Sequence, residues 1–346
     1  MVCTHNDGSY WNKLIALGIT PHDLVLRKLS LSTLFKLLNI LRKEKPDLIH
    51  THGKGPGLYG RLLGWMLGIP VVHTFHGFQH KLLPVVQRWF YLFVENVLTL
   101  LTRHHIFVGK GEKNKAKVLM FLNDSNSSVV NNGIDLDSIQ ALPPAEEVLA
   151  SLKLGPRESI KIFGTLSRVS PEKGLDILLE GFVEAAKRAP YIRLLVIGDC
   201  PGEHEKYIKM ITQYIHENGL DDAVKILGAR EDALEILKSI DFYISPSRSE
   251  GLPYNLLEAL AVGKPVMATD IPGNNDIIRK SVEGILVPVN SARTLAHGIL
   301  TLLELGPEEQ KAMRQNGKVR IRDEFSLNLM SEKTFSIYKK VLEGVI

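Results

Sequence analysis

Short apolar runs alternate with longer amphipathic segments along most of the 346-residue chain. In the first part the runs 47–50, 71–75, 105–108 and 128–131 read as buried parallel strands, and residues 1–4 allow another short one. Helices are expected at 10–17, closed by Gly18, and at 32–41, where leucines recur at helical spacing behind Ser32 as N-cap. A glycine-rich loop at 53–57 leads into an apolar helix ending at Leu67, and further helices cover 82–102 and 111–122. Pro143, Pro144, Gly155 and Pro156 mark residues 139–157 as a connection, with a helical piece at 144–152.

A second alternation follows. Its strands are expected at 160–167, 193–199, 224–227, 242–244, 266–269 and 285–287, and its helices at 174–188, 204–217, 231–239, 254–262 and 292–304. The tail 326–342 is helical, with Leu327, Met330, Phe335, Tyr338 and Val341 on one face. The pattern is that of an α/β chain with two Rossmann-like, doubly wound parallel-sheet domains. They are expected at 1–138 and 158–325, joined by 139–157, with 326–346 as a closing helix.

A hydrophobic content of 45% and a charged content of 23% are those of a soluble globular protein. Two cysteines, Cys3 and Cys200, cannot build a disulfide framework, so a reducing, cytoplasmic setting is expected. Asn123 and Asn126 fit the glycosylation pattern but carry no weight without a secretory signal. Residues 82–102 contain Pro84, Gln87, Arg88, Glu95 and Asn96, too polar for a membrane-spanning helix.

Charge changes the picture more. Residues 1–140 hold 16 Lys/Arg against 9 Asp/Glu, whereas the remainder holds 26 against 29. A basic first half suits anionic lipid or a phosphorylated substrate as well as a plain surface bias. The aromatic helix 82–102, with Trp89, Phe90, Tyr91 and Phe93, and the basic stretch 110–117 could dock together on an anionic membrane surface or pack in a core. No motif or basic–aromatic alternation points to nucleic acid.

The chemistry concentrates at 245–265. The strand 242–244 spills into a loop carrying Glu250, a helix opens near Pro253 and stops at Gly263, and Glu258 rides that helix. The helix start offers backbone N–H groups to an anion, and ligands of open α/β sheets bind beyond the carboxyl ends of strands. Upstream, Gly164 to Gly174 brings Arg168 and Lys173 to another strand end, where a pyrophosphate would find a bidentate donor and a mobile point charge.

Glu250-Gly251, Glu258-Ala259 and Gly263-Lys264-Pro265-Val266 resemble the E-x7-E signature of retaining GT-B glycosyltransferases, family 4-like and group 1. The stretch 164–174 is similar to that family's G-R-L/V-x-x-x-K-G segment, with Ser167 where glycine is usual. The turns at Gly198-Asp199 and 227–232 also match in order. The resemblance implies two Rossmann-like domains with the active site in the cleft and the last helix crossing back to the first domain.

It further implies that Arg168 and Lys173 bind the donor diphosphate and assist its departure. Glu258 would hold the ribose hydroxyls, and Glu250 hydroxyls of the donor sugar. Gly164, Gly198, Arg230, Gly251, Leu252, Tyr254 and Asn255 complete the donor side; Pro253 can supply no amide. In the first domain His76 would hydrogen-bond at the transferring sugar, while His50, His52 and Lys54 are acceptor-side candidates. No metal site is expected: His50, His52 and His76 lack a supporting carboxylate, and Asp135-Leu136-Asp137 resembles the family's structural N-G-I/V-D segment.

The activity implied is transfer of a hexose-type sugar, with retention, from a nucleotide diphosphate, UDP foremost, to a glycan or polyprenyl-linked acceptor. The setting would be surface-polysaccharide (O-antigen type) assembly, peripheral on the inner face of the membrane. The nucleotide-sugar is a co-substrate, and no cofactor is implied. Family members usually open with a strand, a glycine loop and a helix ahead of the region that residues 2–8 match; about 30 residues of that opening are expected to be missing. An exposed strand edge would follow in the first domain. Two rivals stay open: a catalytically inactive nucleotide-binding scaffold of the same fold, and a sugar-nucleotide epimerase.

Overall fold

The computed structural model describes residues 1–3, 10–26, 29–77 and 84–346. They form two units: residues 1–108, 112–130 and 332–346 make the first, and residues 109–111 and 131–331 the second. The expected segments 1–4 and 2–8, the loop beyond Gly77 and the start of the helix at 82 run onto residues outside the described ones.

In chain order the first unit contains β1 (Val2–Cys3), α1 (Tyr10–Ala16), β2 (His22–Asp23), α2 (Leu31–Glu44), β3 (Ile49–His52), α3 (Lys54–Leu67) and β4 (Val71–Phe75). It continues with α4 (Val85–Leu100), β5 (His104–Phe107), α5 (Lys110–Leu119) and β6 (Ser127–Val129). Strands β3-β4-β5-β6 form a four-stranded parallel sheet, and β1 and β2 pair separately, also in parallel. Among the described residues β3 is therefore an edge of its sheet. Leu37 and Leu41 of α2 pack with Tyr59 and Leu63 of α3. Phe75, Leu92, Phe107, Ala116 and Met120 make a second cluster, in which the rings of Phe75 and Phe107 stack at 4.9 Å.

The glycine-rich stretch is not a loop. Gly53, at φ 72°, precedes a helix that starts at Lys54 and absorbs Pro56 in its first turn, where the missing N–H has no partner to lose. The glycines of α3 then face the sheet. A Cβ on Gly57 would lie 2.5 Å from the His73 ring, one on Gly60 2.3 Å from Thr51 Cγ2, and one on Gly64 2.3 Å from Val71 Cγ2. They let the helix lie directly on β3 and β4. Two smaller differences have local causes. Ser30 rather than Ser32 caps α2, accepting from the Thr33 amide at 3.4 Å. The strand expected at 47–50 is shifted to β3 because its ladder with β4 begins at Ile49 opposite Val71.

The second unit contains α6 (Leu136–Ala141), α7 (Glu146–Ser151), β7 (Lys161–Leu166), α8 (Leu175–Arg188), β8 (Ile192–Ile197), α9 (Glu205–Glu217), β9 (Val224–Gly228), α10 (Ala233–Ser239) and β10 (Phe242–Ser245). After these come α11 (Tyr254–Ala261), β11 (Val266–Thr269), α12 (Asn274–Ile277), β12 (Gly284–Val287), α13 (Ala292–Glu304) and α14 (Pro307–Glu324). The last helix, α15 (Leu327–Leu342), begins in this unit and runs into the segment grouped with the first. The sheet is parallel throughout, in the order β12-β11-β10-β7-β8-β9. Phe163 and Phe242 stack at 4.9 Å within a core filled by Leu178, Leu179 and Phe182 of α8 and Leu295, Ile299 and Leu302 of α13.

Hydropathy gave no sign of α14. It is polar on most sides and buries only Met313, Gly317 and Ile321, with Gly317 set against Leu260 of α11. The short helices α6 and α12 and the strand β2 also escaped periodicity, being too brief to show one.

Candidate active site

In the second unit the chemistry-bearing loops leave the carboxyl ends of adjacent strands β8, β7 and β10. The β7 and β8 loops cross closely. The Ser167 amide donates to the Ile197 carbonyl at 2.9 Å, the Val169 amide donates to the Asp199 carbonyl at 2.7 Å, and a Cβ on Gly198 would lie 1.9 Å from the Ser167 oxygen. Gly198 also sits at φ 142°, so only glycine fits there. The β7 loop is pinned to the β10 loop in turn. Gly174 at φ 68° leaves no room for a side chain beside the Pro246 carbonyl, and the Arg248 amide donates to the Glu172 carbonyl at 2.8 Å.

On this frame Lys173 and Glu250 meet, Nζ to Oε1, at 2.7 Å, and Ser247 Oγ donates to the same oxygen at 2.7 Å. Glu258 lies one helix turn into α11 with no side-chain hydrogen bond among the described residues; burial pushes its pKa up to about 7. Arg168 stays extended into solvent, 3.9 Å from Glu172. Asn255 donates to the Leu166 carbonyl, to which the Tyr243 hydroxyl also donates at 3.4 Å. Leu252 is buried, and its carbonyl accepts from Asn132 Nδ2 at 2.8 Å. Gly251 packs against Gly273, whose φ of 95° lets the chains approach. Tyr254 opens α11 and is exposed. Two cationic side chains and two carboxylates thus share one end of one sheet.

Gly164 lies inside β7, as the strand expected at 160–167 requires, paired with Tyr243 and Leu195 and packed against Ile240. Arg230 folds onto Asp232 in a bidentate pair at 2.7 and 2.6 Å. Sequence reasoning assigned no role to Arg248, whose guanidinium takes both oxygens of Asp176 at 2.8 Å while its Nε donates to Asn290 at 2.7 Å. Tyr207 donates to Asp176 as well, at 2.8 Å. Arg248 and Asp176 lie 72 positions apart, and no local pattern in the sequence pairs them.

In the first unit the histidines gather at the carboxyl ends of β3 and β4. His50, His52 and Thr74 share a sheet face with His76, just past β4. His50 Nε2 lies 2.7 Å from Thr74 Oγ1, its Nδ1 contacts the Tyr338 hydroxyl of α15, and His52 Nδ1 is 2.9 Å from His76 Nε2. The three imidazoles form a row, with centroids 4.2 Å apart for His50 and His52 and 5.2 Å for His52 and His76, the latter two meeting edge to edge. Crowding by protein and by one another lowers their pKa values, to about 3 at His50 and about 4 at His76, so the cluster is neutral at pH 7. Glu112, buried, accepts from the Gly77 amide at 2.5 Å and so fixes the backbone beside His76.

Lys54 turns over the Tyr91 ring, 4.6 Å from its centroid. On the opposite sheet face His73 bonds Thr51 at 2.7 Å, above a fully buried pair, Arg61 with Glu95, at 2.9 Å. Tyr338, Thr74 and Glu112 went unnoticed in the sequence because only the fold brings them to the histidines. Among the described residues no three His, Cys, Asp or Glu side chains are placed to hold a metal ion.

Two parallel-sheet α/β units, of four and six strands, make up the GT-B fold of glycosyltransferases. Comparison with known proteins agrees. Residues 151–320 match the glycosyl transferases group 1 model and residues 2–138 the glycosyltransferase family 4 model. Together the two models span both halves of the chain, which belongs to this family of GT-B glycosyltransferases.

A similar curated protein is the Escherichia coli UDP-Gal:alpha-D-GlcNAc-diphosphoundecaprenol alpha-1,3-galactosyltransferase, 28% identical over 330 residues, covering 90% of this chain and 77% of that one. The Streptococcus pneumoniae alpha-monoglucosyldiacylglycerol synthase is 28% identical over 79% of this chain and 62% of its own length. Among solved structures, a Rickettsia africae glycosyltransferase superposes with a TM-score of 0.83 at 22% identity, over 99% of this chain and 90% of that one. Anabaena HepE in complex with UDP-glucose gives 0.82 at 20%, over 96% and 90%.

Proposed function

We propose that this glycosyltransferase moves a hexose from a UDP-sugar to a lipid-linked glycan, with retention of anomeric configuration and without a metal ion, in surface-polysaccharide assembly of the O-antigen type. The observation that carries the reading is the Lys173–Glu250 contact at 2.7 Å beside the unpartnered Glu258. A diphosphate can draw Lys173 off Glu250 and add Arg168, while backbone N–H groups of Gly251 and Leu252 approach the same anion. Glu250, freed, accepts from sugar hydroxyls, and Glu258 accepts from both ribose hydroxyls. Asn255 and Tyr254 flank them, with Gly198 and Arg230 on the neighbouring loops. His76, neutral, gives a hydrogen bond at the transferring sugar, and His50, His52 and Lys54 mark the acceptor side. Catalysis is then positioning and charge stabilisation of the departing diphosphate, the part a cation plays elsewhere.

The lipid-linked acceptor takes support from the Escherichia coli and Streptococcus pneumoniae relatives, named for a diphosphoundecaprenol and a diacylglycerol respectively. Helix α4 supports a peripheral contact with an anionic membrane surface. Val86, Trp89, Phe90, Phe93 and Leu100 are all at least 66% exposed, and its one acidic residue, Glu95, is buried on Arg61. No helix among the described residues is long and apolar enough to cross a membrane.

The test is a UDP- and GDP-sugar panel with a polyprenyl-diphosphate-linked glycan acceptor, in the presence of a chelator. Transfer from a UDP-hexose, with NMR showing the anomeric configuration kept, is the expected result. Absence of transfer from every donor, or an inverted product, would sink the proposal. Co-sedimentation with anionic but not neutral liposomes, lost on Trp89→Glu, is expected for the membrane contact.

A further inference from the structure

We propose that His52 is a positioning residue, which fixes the tautomer and orientation of His76 through the hydrogen bond between His52 Nδ1 and His76 Nε2. The inference rests on the role proposed above for His76. Three contacts define the arrangement. His52 stands opposite Thr74 in the β3–β4 ladder, and the Gly53 amide extends that ladder to the Thr74 carbonyl at 3.2 Å, so the two strand ends cannot slide. The Gly77 amide is held by Glu112, which fixes the backbone that follows His76. The two rings lie 27° from parallel with their nitrogens 2.9 Å apart.

At that distance one proton lies between the two nitrogens, neither two nor none. If His52 carries it on Nδ1, His76 Nε2 is bare and its own proton sits on Nδ1. If His76 carries it on Nε2, His52 Nδ1 is bare and its proton sits on Nε2. Neutral rings in this contact must therefore be like tautomers, both Nδ1–H or both Nε2–H. Unlike tautomers would set two N–H groups or two lone pairs against each other. His76 thus presents Nδ1 outward in a protonation state dictated by His52.

His50 is the fixed base of the row. Bonded on one side by Thr74 and on the other by Tyr338, it stays put in either neutral tautomer, since each hydroxyl can donate or accept. Its ring lies against His52, which meets His76 edge to edge. The lowered pKa values of all three keep the cluster in the neutral state on which the pairing depends.

Long-range proton–nitrogen correlation on the full chain labelled with 15N-histidine, at pH 7.5, reads the tautomers directly. Like tautomers at His52 and His76 are expected, and unlike ones would overturn the proposal. In transfer assays His52→Phe keeps a flat ring at the position but no hydrogen bond. It should lower kcat about 5- to 10-fold with little change in donor KM, the scale of one lost hydrogen bond. His52→Asn keeps a polar atom at the δ position and should recover most of that loss. Wild-type kcat in His52→Phe would defeat the proposal. So would a loss there while His76→Ala is fully active, an outcome that would equally remove the role given to His76. Like tautomers in the spectra together with inactive His76→Ala and impaired His52→Phe support both.

Discussion

Glu258 shows what a single buried carboxylate can do to ligand binding. Burial on α11 raises its pKa from 4.5 to about 7. Between those values the folded chain holds a proton that the unfolded chain has released, so this group makes folding less favourable as pH rises through that window. Ligand hydroxyls act the other way, because they stabilise the carboxylate. UDP binding should therefore tighten as pH rises through about 7 and release a proton below it. Calorimetry in two buffers of different ionisation enthalpy measures the protons released, and a Glu258→Gln variant should lose the share that Glu258 supplies, keeping only that of the UDP phosphate, whose second ionisation lies near pH ~6. Gly198→Ala is the steric counterpart. Its Cβ would meet the Ser167 oxygen at 1.9 Å, and the expected cost is at least about 3 kcal/mol in denaturant unfolding, with UDP binding lost as the β7 loop is displaced. Both glutamates, Arg168 and Lys173 were legible as residue types at fixed spacing. Their partners were not, because the Lys173–Glu250 contact spans 77 positions and no local pattern encodes it.

Among the elements, the loops that leave β7 and β10 are held by a side-chain clamp as well as by backbone contacts. Arg248 binds both oxygens of Asp176 at 2.8 Å, and Tyr207 of α9 holds the same carboxylate. The clamp draws Asp176 below its ordinary carboxylate pKa, through the hydrogen bonds from Arg248 and Tyr207 that outweigh burial. Arg248→Ala should cost roughly 2 kcal/mol of stability in denaturant unfolding. It should also raise donor KM more than it lowers kcat, since the loop bearing Lys173 loses its fixed position. Arg248→Lys should restore little, because an ammonium cannot span both oxygens. Element type and order were mostly readable from periodicity, since buried parallel strands and amphipathic helices have distinct periods. The failures are informative. The first turn of α3, residues 54–57, was read as loop because glycines punctuate loops elsewhere, whereas here they let the helix touch β3 and β4; α14 was hidden by having almost no apolar face.

For the whole molecule, acid should separate the two units. His50, His52, His73, His76, His104 and His105 all have pKa values below the ordinary 6.5, chiefly through burial, and all belong to the first unit. The unfolded chain takes up protons at 6.5 where the folded unit does not, so the stability they allow is full above 6.5 and is lost as pH falls. Each of the deeply buried ones, His73, His104 and His105, contributes a loss approaching roughly 1.4 kcal/mol per pH unit until its own folded pKa is reached. In the second unit Glu258 changes stability in the opposite sense. Calorimetric scans from pH 7.5 to 5 should show one transition moving down steeply while another changes little; a common shift would refute this origin.

What the sequence determined by itself was the fold class, the order of strands and helices, and the family, because apolar periodicity and the Arg168–Lys173 and Glu250–Glu258 spacings are local records of strand ends and helix starts. Tertiary structure alone decided which groups meet: Lys173 with Glu250, Arg248 with Asp176, and Tyr338 with His50 across 288 positions. The physical reason is the same for each. A side-chain hydrogen bond reaches about 3 Å, and only the packing of strands, loops and helices into one fold brings such distant residues that close.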